Sequence, residues 1–230
     1  MNVNNLLGKL TIPLEEFVQK IHQIKAIVSD WDGVFNDGIK NPQIPSGYAE
    51  AYSMGTNLLR YTFWKKNAQM PLFAIITGAT NPSAIDLAKR EHFQYVYSKI
   101  VNKGEAILHF CEMNQIQPHE VACFFDDAND LAMAKVCGLR FFFQRKATPF
   151  FTNFVVENQL CDYITAHEGG EFAIREITEM MMGCLGNYQE ILLSRANFDI
   201  PYQTYFELRQ NLPTQIYKKG ENGLEVDNSL

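Results

Sequence analysis

The sequence predicts an α/β chain in which a parallel sheet is covered by helices on both faces. Short apolar runs of buried-strand length alternate with amphipathic stretches, the order that a parallel sheet with right-handed crossovers requires. Acidic or hydroxyl residues follow several of these runs, at the strand ends where open α/β sheets bind ligands. The runs are Ile24–Val28, Leu72–Thr77, Gln94–Tyr97, Val121–Phe125 and Leu139–Phe143.

The chain of 230 residues is long enough to bury a core, and two full domains would be crowded into it. Its net charge of −6 argues against nucleic acid or an anionic membrane as the main partner. The five cysteines are scattered, with no CxxC and an odd total, and read as buried reduced thiols rather than a disulfide or zinc framework. No apolar run approaches a membrane span, and the amino terminus lacks the pattern of a signal peptide, so the expected location is cytoplasmic.

Residues 1–23 read as a helical lead-in. Pro13 suits a helix start, and Leu14, Phe17, Val18 and Ile21 fall on one face. The first strand stops at Asp30-Trp31-Asp32-Gly33. Asp30 and Asp32, two apart in an extended segment, share a face, and Gly33 lets the backbone turn sharply. Two carboxylates so close call for a cation or a shared proton, and Mg²⁺ suits such oxygen ligands. Val34 to Ser53 is rich in turn residues and predicts a small β-hairpin flap over the strand end. A helix is expected from Ser53 to Asn67, capped by Ser53 or Thr56.

The second strand ends in Thr77-Gly78, before a helix from Pro82 to His92. Lys103 opens the next predicted helix, to Met113, where a cation opposes the macrodipole and so invites a functional explanation. The fourth strand runs into Asp126-Asp127-Ala128-Asn129-Asp130, three acids in five residues, with spacing that excludes an EF-hand. A helix from Phe150 to Gln159, an edge strand at Asp162–Thr165 and one long helix from Glu171 to Leu193 follow. Met180, Met181 and Met182 read as packing. A final helix is expected near Tyr202 to Gln210, and Lys218–Leu230 reads as disordered.

Taken together, Asp30-Trp31-Asp32-Gly33, Thr77-Gly78, Lys103 and Asp126-Asp127-x-Asn129-Asp130 resemble, in order and spacing, the four motifs of the haloacid dehalogenase superfamily. Within it the chain looks most like the 3-deoxy-manno-octulosonate 8-phosphate phosphatase group, through DGVFNDG, IITG, the lysine followed by GEAI, FFDDANDLAM and CDYITAHEGGEFAIREI. The resemblance spans Ile24 to Met182. It implies a Rossmann-like domain over residues 24–183 without a large cap domain, since neither Val34–Ser53 nor the gap from Gly78 to Lys103 can hold one. Residues 184–230 are left as a helical extension and flexible tail.

The resemblance also implies roles. Asp30 is then the nucleophile that forms an aspartyl phosphate, and Asp32 the general acid and later base. Mg²⁺ is held by the carboxylates of Asp30 and Asp126 and the backbone carbonyl of Asp32, with Asp127 or Asp130 orienting the site from behind. Thr77 and Lys103, with backbone N–H groups near Trp31 and Gly78, bind the phosphoryl oxygens. The substrate is a small phosphorylated metabolite, plausibly a sugar acid phosphate, and the assembly a homo-oligomer, tetrameric in the family.

Four positions depart from the family pattern. Ala79 and Glu171 stand where arginine is usual, Thr56-Asn57 replaces Asp-Gly, and Phe125 replaces a small residue. Two lost cations bear on substrate recognition. The competing readings are a non-catalytic oligomeric relative and a phosphatase for another ester, such as phosphoglycolate or a nucleotide. The five histidines are dispersed and no GxSxG is present, which argues against a zinc or serine hydrolase.

Overall fold

The computed structural model describes residues 6–41, 46–221 and 223–229. Among the described residues nine strands form one sheet: β1 (Lys9–Leu10), β2 (Ala26–Ser29), β3 (Leu72–Ile76), β4 (Tyr95–Ser98), β5 (Val121–Phe125), β6 (Leu139–Phe142), β7 (Tyr163–Ile164), β8 (Gln215–Gly220) and β9 (Gly223–Val226). Their order is β1-β7-β6-β5-β2-β3-β4-β8-β9, parallel except for β1 on β7 and β9 on β8. From β2 the chain winds outward through β3 and β4, then returns to build β5, β6 and β7 on the other side. The strand order therefore reverses between β2 and β5, the place where such sheets open a crevice.

The helices are α1 (Leu14–Gln23), α2 (Glu50–Asn67), α3 (Pro82–Glu91), α4 (Lys103–Asn114), α5 (Leu131–Ala134), α6 (Pro149–Glu157), α7 (Ala173–Leu185), α8 (Tyr188–Asn197) and α9 (Ile200–Gln210). They cover both faces, so β2 and β5 at the centre are buried along their whole length. Ile27 of β2 joins one core with Phe17, Leu59 and Ile177, while Val28 joins the other with Ile107 and Met133. The expected fold class is borne out.

Several expectations need correction. Between β2 and α2 no strand forms among the described residues, and the expected flap is a turn followed by loop; its Pro42 and Pro45 lie outside the described residues. Local bonds explain this: Asn36 Oδ1 accepts from Gly38 N at 2.8 Å and Asp37 Oδ1 from Ile39 N at 2.9 Å, which folds the segment on itself instead of against a second strand. Helix α2 starts earlier than expected, after Ala49, so Ser53 and Thr56 lie inside it, and Thr56 Oγ1 donates to the Tyr52 carbonyl at 2.9 Å rather than capping. The expected long helix is two, because Gly186 takes φ +85° and ends α7. Strand β7 is not an edge, since β1 pairs outside it.

The largest correction concerns the tail. Residues expected to be disordered form most of β8 and β9, which extend the sheet beyond β4, pairing Val96 with Ile216 and Tyr217 with Val226. Ile216 and Tyr217 are buried there, which supplies the apolar burial that the polar sequence after them lacks. Helix α9 packs on α2 through Tyr61 and Tyr205, with ring centroids 5.1 Å apart. Asn57, one of the departures from the family pattern, is the hinge pin of this packing. Its Nδ2 donates to Tyr202 Oη at 3.0 Å and its Oδ1 accepts from Tyr205 Oη at 3.0 Å.

At the other side of the sheet, Asp162 ties three elements together. Its carboxylate accepts from Arg140 Nε and Nη2 at 3.0 and 2.8 Å, from Arg140 N at 2.8 Å and from Lys20 Nζ at 2.9 Å. Burial alone would raise its pKa, but Arg140 and Lys20 outweigh burial and hold it below the usual carboxylate range. Asp162→Ala is expected to destabilise the fold by about 3–5 kcal/mol at pH 7, because it removes the carboxylate partner of Arg140 and leaves Lys20 only its longer contact with Glu16. The folded pKa is depressed, so this contribution is complete above about pH 4, the unfolded value, and fades as pH falls through the folded one. Urea melts of wild type and variant at pH 7 and in acid test it: the gap between them must narrow in acid.

Candidate active site

The carboxyl ends of β2, β3 and β5, with the loop after β6, wall a cavity of about 440 Å³ at the reversal point. Asp30 and Asp32 come from the turn after β2. That turn is pinned to the neighbouring strand, since Asp30 N donates to the Phe124 carbonyl at 3.0 Å. Asp126 follows β5, and Asp130 sits one short turn later, where its Oδ2 accepts from Asp126 N at 3.2 Å and Asp127 N at 3.4 Å. This closes the acidic loop back onto the strand end.

Lys103 enters from the start of α4 and is almost fully buried. Its Nζ lies 2.5 Å from Asp30 Oδ1 and 2.5 Å from Asp130 Oδ1. A cation there opposes the helix dipole, and the two carboxylates compensate for it. Burial lowers the ammonium's proton affinity, but Asp30 and Asp130 reverse that effect and keep it charged.

Side-chain oxygens of Asp30, Asp126 and Asp130 lie within 4.8 Å of one another, close enough to share a metal ion. Burial, together with the charges of Asp30 and Asp130, pushes the Asp126 carboxyl up to about 9, and Arg145 offsets this only in part. Burial and Asp130 lift Asp30 to about 6 against the pull of Lys103. Carboxylates this crowded call for further positive charge, and an all-oxygen donor set suits a hard divalent cation. The residues present fit such an ion. Asp130, whose oxygens already meet Lys103 and two backbone amides, is better placed to orient the site than to bind the ion.

Thr77 follows β3, its Oγ1 accepting from Asn81 Nδ2 at 2.6 Å, and Asn81 Nδ2 also reaches Asp32 Oδ2 at 3.0 Å. Asn81 therefore links a hydroxyl and a carboxylate from different strands. Of the residues singled out in the sequence, Asp30, Asp32, Thr77, Gly78, Lys103, Asp126, Asp127 and Asp130 all line the cavity. Trp31 does not. Its indole turns into the core, stacks on Phe35 at 5.1 Å and donates to Ser46 Oγ at 3.0 Å, while its backbone N–H turns to the Asp30 carboxylate.

Three participants were missed in the sequence: Asn81, Lys40 and Arg145. Lys40 pairs with Asp32 Oδ2, and Arg145 Nη2 lies 2.5 Å from Asp126 Oδ2. Arg145 follows β6, so the rule that reactive residues sit at strand carboxyl ends could have found it. Gly33 makes its approach possible. With φ +86°, a Cβ there would stand 2.0 Å from Arg145 Nη2 and 2.1 Å from Asp126 Oδ2, so only glycine leaves room. Gly169 is similarly constrained, its Cβ position falling 1.8 Å from the Gly33 carbonyl oxygen. Neighbouring Glu171 is exposed and absent from the cavity wall.

Another groove, of about 560 Å³, lies beside α7 between Leu7, Phe172, Met180 and Tyr188. Its buried acid, Glu176, is fully engaged by Tyr163 Oη, the amides of Ala166 and His167, and His167 Nδ1.

Solved structures share this architecture. A 3-deoxy-D-manno-octulosonate 8-phosphate phosphatase from Moraxella catarrhalis, in complex with magnesium ion, phosphate ion and KDO, matches 81% of this chain and 100% of its own, at 23% identity and a TM-score of 0.65. The same phosphatase from Yersinia pestis matches 76% of this chain and 89% of its own, at 22% identity and a TM-score of 0.63. The cobalt-bound form from Haemophilus influenzae matches 74% and 94%, at 19% identity and 0.60. At these identities the likeness is one of fold. A family model for haloacid dehalogenase-like hydrolases matches residues 62–148, the span that carries Thr77, Lys103 and the acidic loop. Asp30 is delivered to that same cavity from the adjoining strand, so the span that resembles the haloacid dehalogenase-like hydrolases and the acid of the first strand meet at one site.

Proposed function

We propose that the chain is a Mg²⁺-dependent phosphatase that works through an aspartyl-phosphate intermediate on a small phosphate ester. The observation that carries this reading is the meeting of Asp30, Asp126 and Asp130 around Lys103 at the strand reversal. Asp30 Oδ attacks phosphorus, forming the aspartyl phosphate as the ester bond breaks, and Asp32 gives its proton to the departing alkoxide. Asp32 then takes a proton from water as its oxygen attacks the phosphoryl group, releasing phosphate and restoring Asp30. Asn81 holds Asp32 in place for both steps. Thr77, Gly78 and Lys103 bind phosphoryl oxygens whose charge develops during transfer.

The ion would be held by the carboxylates of Asp30 and Asp126 and the carbonyl of Asp32, and when bound it would neutralise phosphoryl charge. Chelation is expected to abolish phosphate release and added Mg²⁺ to restore it, read by a phosphate assay over a panel of sugar and sugar acid phosphates. Release that survives chelation would exclude this chemistry.

For the substrate, the structural neighbours favour a sugar acid phosphate such as 3-deoxy-manno-octulosonate 8-phosphate. Ala79 and Glu171, where the resemblance expects arginines, favour a second reading in which another small phosphate ester is the substrate. The same panel separates them. Among the described residues no helix is long and apolar enough to cross a membrane, and no disulfide forms. Buried thiols at Cys111, Cys123, Cys137 and Cys161 support a cytoplasmic location. Homo-oligomer formation, tetrameric by resemblance, belongs to the same proposal and is read by light scattering.

A further inference from the structure

Among the described residues, the active-site cavity is lined by three basic side chains, and they divide into two kinds. The Lys103 side chain is 4% exposed and committed to Asp30 and Asp130 on the floor. Lys40 and Arg145, 58% and 31% exposed, come from the loops after β2 and β6 and sit at the mouth. Arg145 Nη2 lies 3.2 Å from where a Cβ of Gly38 would stand, beside the start of the loop that carries Lys40. The two cations therefore share one side of the opening.

Each is paired with an acid that the reaction needs. Lys40 holds Asp32, the proton donor to the leaving oxygen, and Arg145 holds Asp126, a carboxylate for the ion. Each pair engages only the Oδ2 of its acid, so the cation can swing to an incoming anion while the acid keeps its other oxygen for the reaction. Thr77, Gly78 and Lys103 already supply the phosphoryl contacts. The released ammonium and guanidinium are left beside the leaving group, and the arginine's planar fork suits a carboxylate or a phosphate. The position of the missing arginine, Ala79, lines the same cavity and supplies no charge.

We infer that Lys40 and Arg145 are specificity-determining residues that exchange Asp32 and Asp126 for a second anionic group on the leaving alcohol. This rests on the phosphatase reading above. It predicts a preference for esters whose alcohol carries a negative charge, and it assigns that preference to two loops outside the catalytic motifs.

Three esters on one three-carbon scaffold test it: glycerol 3-phosphate, 3-phosphoglycerate and glycerol 1,3-bisphosphate. The wild type is expected to favour a charged alcohol, and whichever of the last two it prefers identifies the anion as carboxylate or phosphate. Arg145→Gln and Lys40→Gln are each expected to reduce the ratio of kcat/KM for that ester over glycerol 3-phosphate by about 10- to 100-fold, the worth of a charge-assisted contact. Arg145→Lys, which keeps the charge, is expected to recover part of the ratio, and it serves as the second variant if the glutamine does not fold. An unchanged ratio, with all esters slowed alike, would mean that these cations serve the phosphoryl group or the acids alone, and would overturn the inference. Calorimetric binding of the same esters to Asp30→Asn gives an independent readout. Equal binding of charged and uncharged esters to Asp30→Asn would sink the clamp by itself, while no release from these esters or from the sugar phosphate panel would sink the phosphatase reading.

Discussion

Asp30→Asn is expected to remove metal-dependent phosphate release, with kcat falling by a factor on the order of 10⁴ or more, as when other covalent nucleophiles are deleted. Asparagine has nearly the same shape, so the turn after β2 keeps its bond from the residue 30 amide to Phe124. What changes is the charge. The amide oxygen is a poor nucleophile, and Lys103 keeps only Asp130 as a carboxylate partner. Rapid-quench acid precipitation should trap a phosphoryl group on wild type and none on the variant. Intact circular dichroism with full retained turnover would show that another group attacks phosphorus.

Lys103→Met is expected to lose activity and stability together. In transfer chemistry, removing one cation aimed at the phosphoryl oxygens costs on the order of 10²–10³ in kcat. In the fold, buried Asp30 and Asp130 are left without the cation between them, a change worth about 3–5 kcal/mol for a buried pair that loses one partner. Lys103 is itself costly to bury, yet deleting only the positive member leaves both acids uncompensated, so the destabilising sign prevails. Thermal melts with chelator and with Mg²⁺ separate the two effects. Bound Mg²⁺ supplies positive charge near Asp30, so the stability loss should shrink with the ion while the kinetic loss stays. A melting temperature equal to wild type in chelator would show that Lys103 carries no structural burden.

The floor of the cavity was legible in the sequence because each of its parts sits where a local rule can be applied. Asp30, Thr77 and Asp126 end apolar runs, and Lys103 stands at a helix start that disfavours it. Lys40 and Arg145 obey weaker rules. Their loops carry ordinary polar residues, and only the glycine at position 33 and the packing of β6 beside β5 bring the guanidinium to Asp126. Trp31 combines two roles that a motif does not separate, since its side chain serves the core while its backbone N–H turns to the Asp30 carboxylate. The break between α7 and α8 was hidden because the apolar spacing continues across Gly186, and backbone conformation rather than pattern ends the helix. The tail was misread for a compositional reason. Its lysines lie on β8 and find acidic partners, Lys218 in Asp227 at 3.2 Å and Lys219 in Glu105, and the strand β4 that orders them lies far away in sequence.

That distance has a consequence for how the protein is made. Strand β8 docks on β4 across a separation of about 120 residues, as in the pairing of Tyr95 with Gln215. Every side chain assigned to the chemistry precedes Lys146, so a growing chain carries its whole reaction centre well before one border of its sheet is closed. At about 5–20 residues per second, the wait between Asp130 and Val226 is on the order of ten seconds, and for that time β4 is an unpaired edge. Until β8 emerges, the growing chain therefore exposes β4 as an open strand beside an otherwise assembled cavity. A message truncated before β8 would yield a protein whose failure lies in aggregation through that border rather than in its catalytic residues.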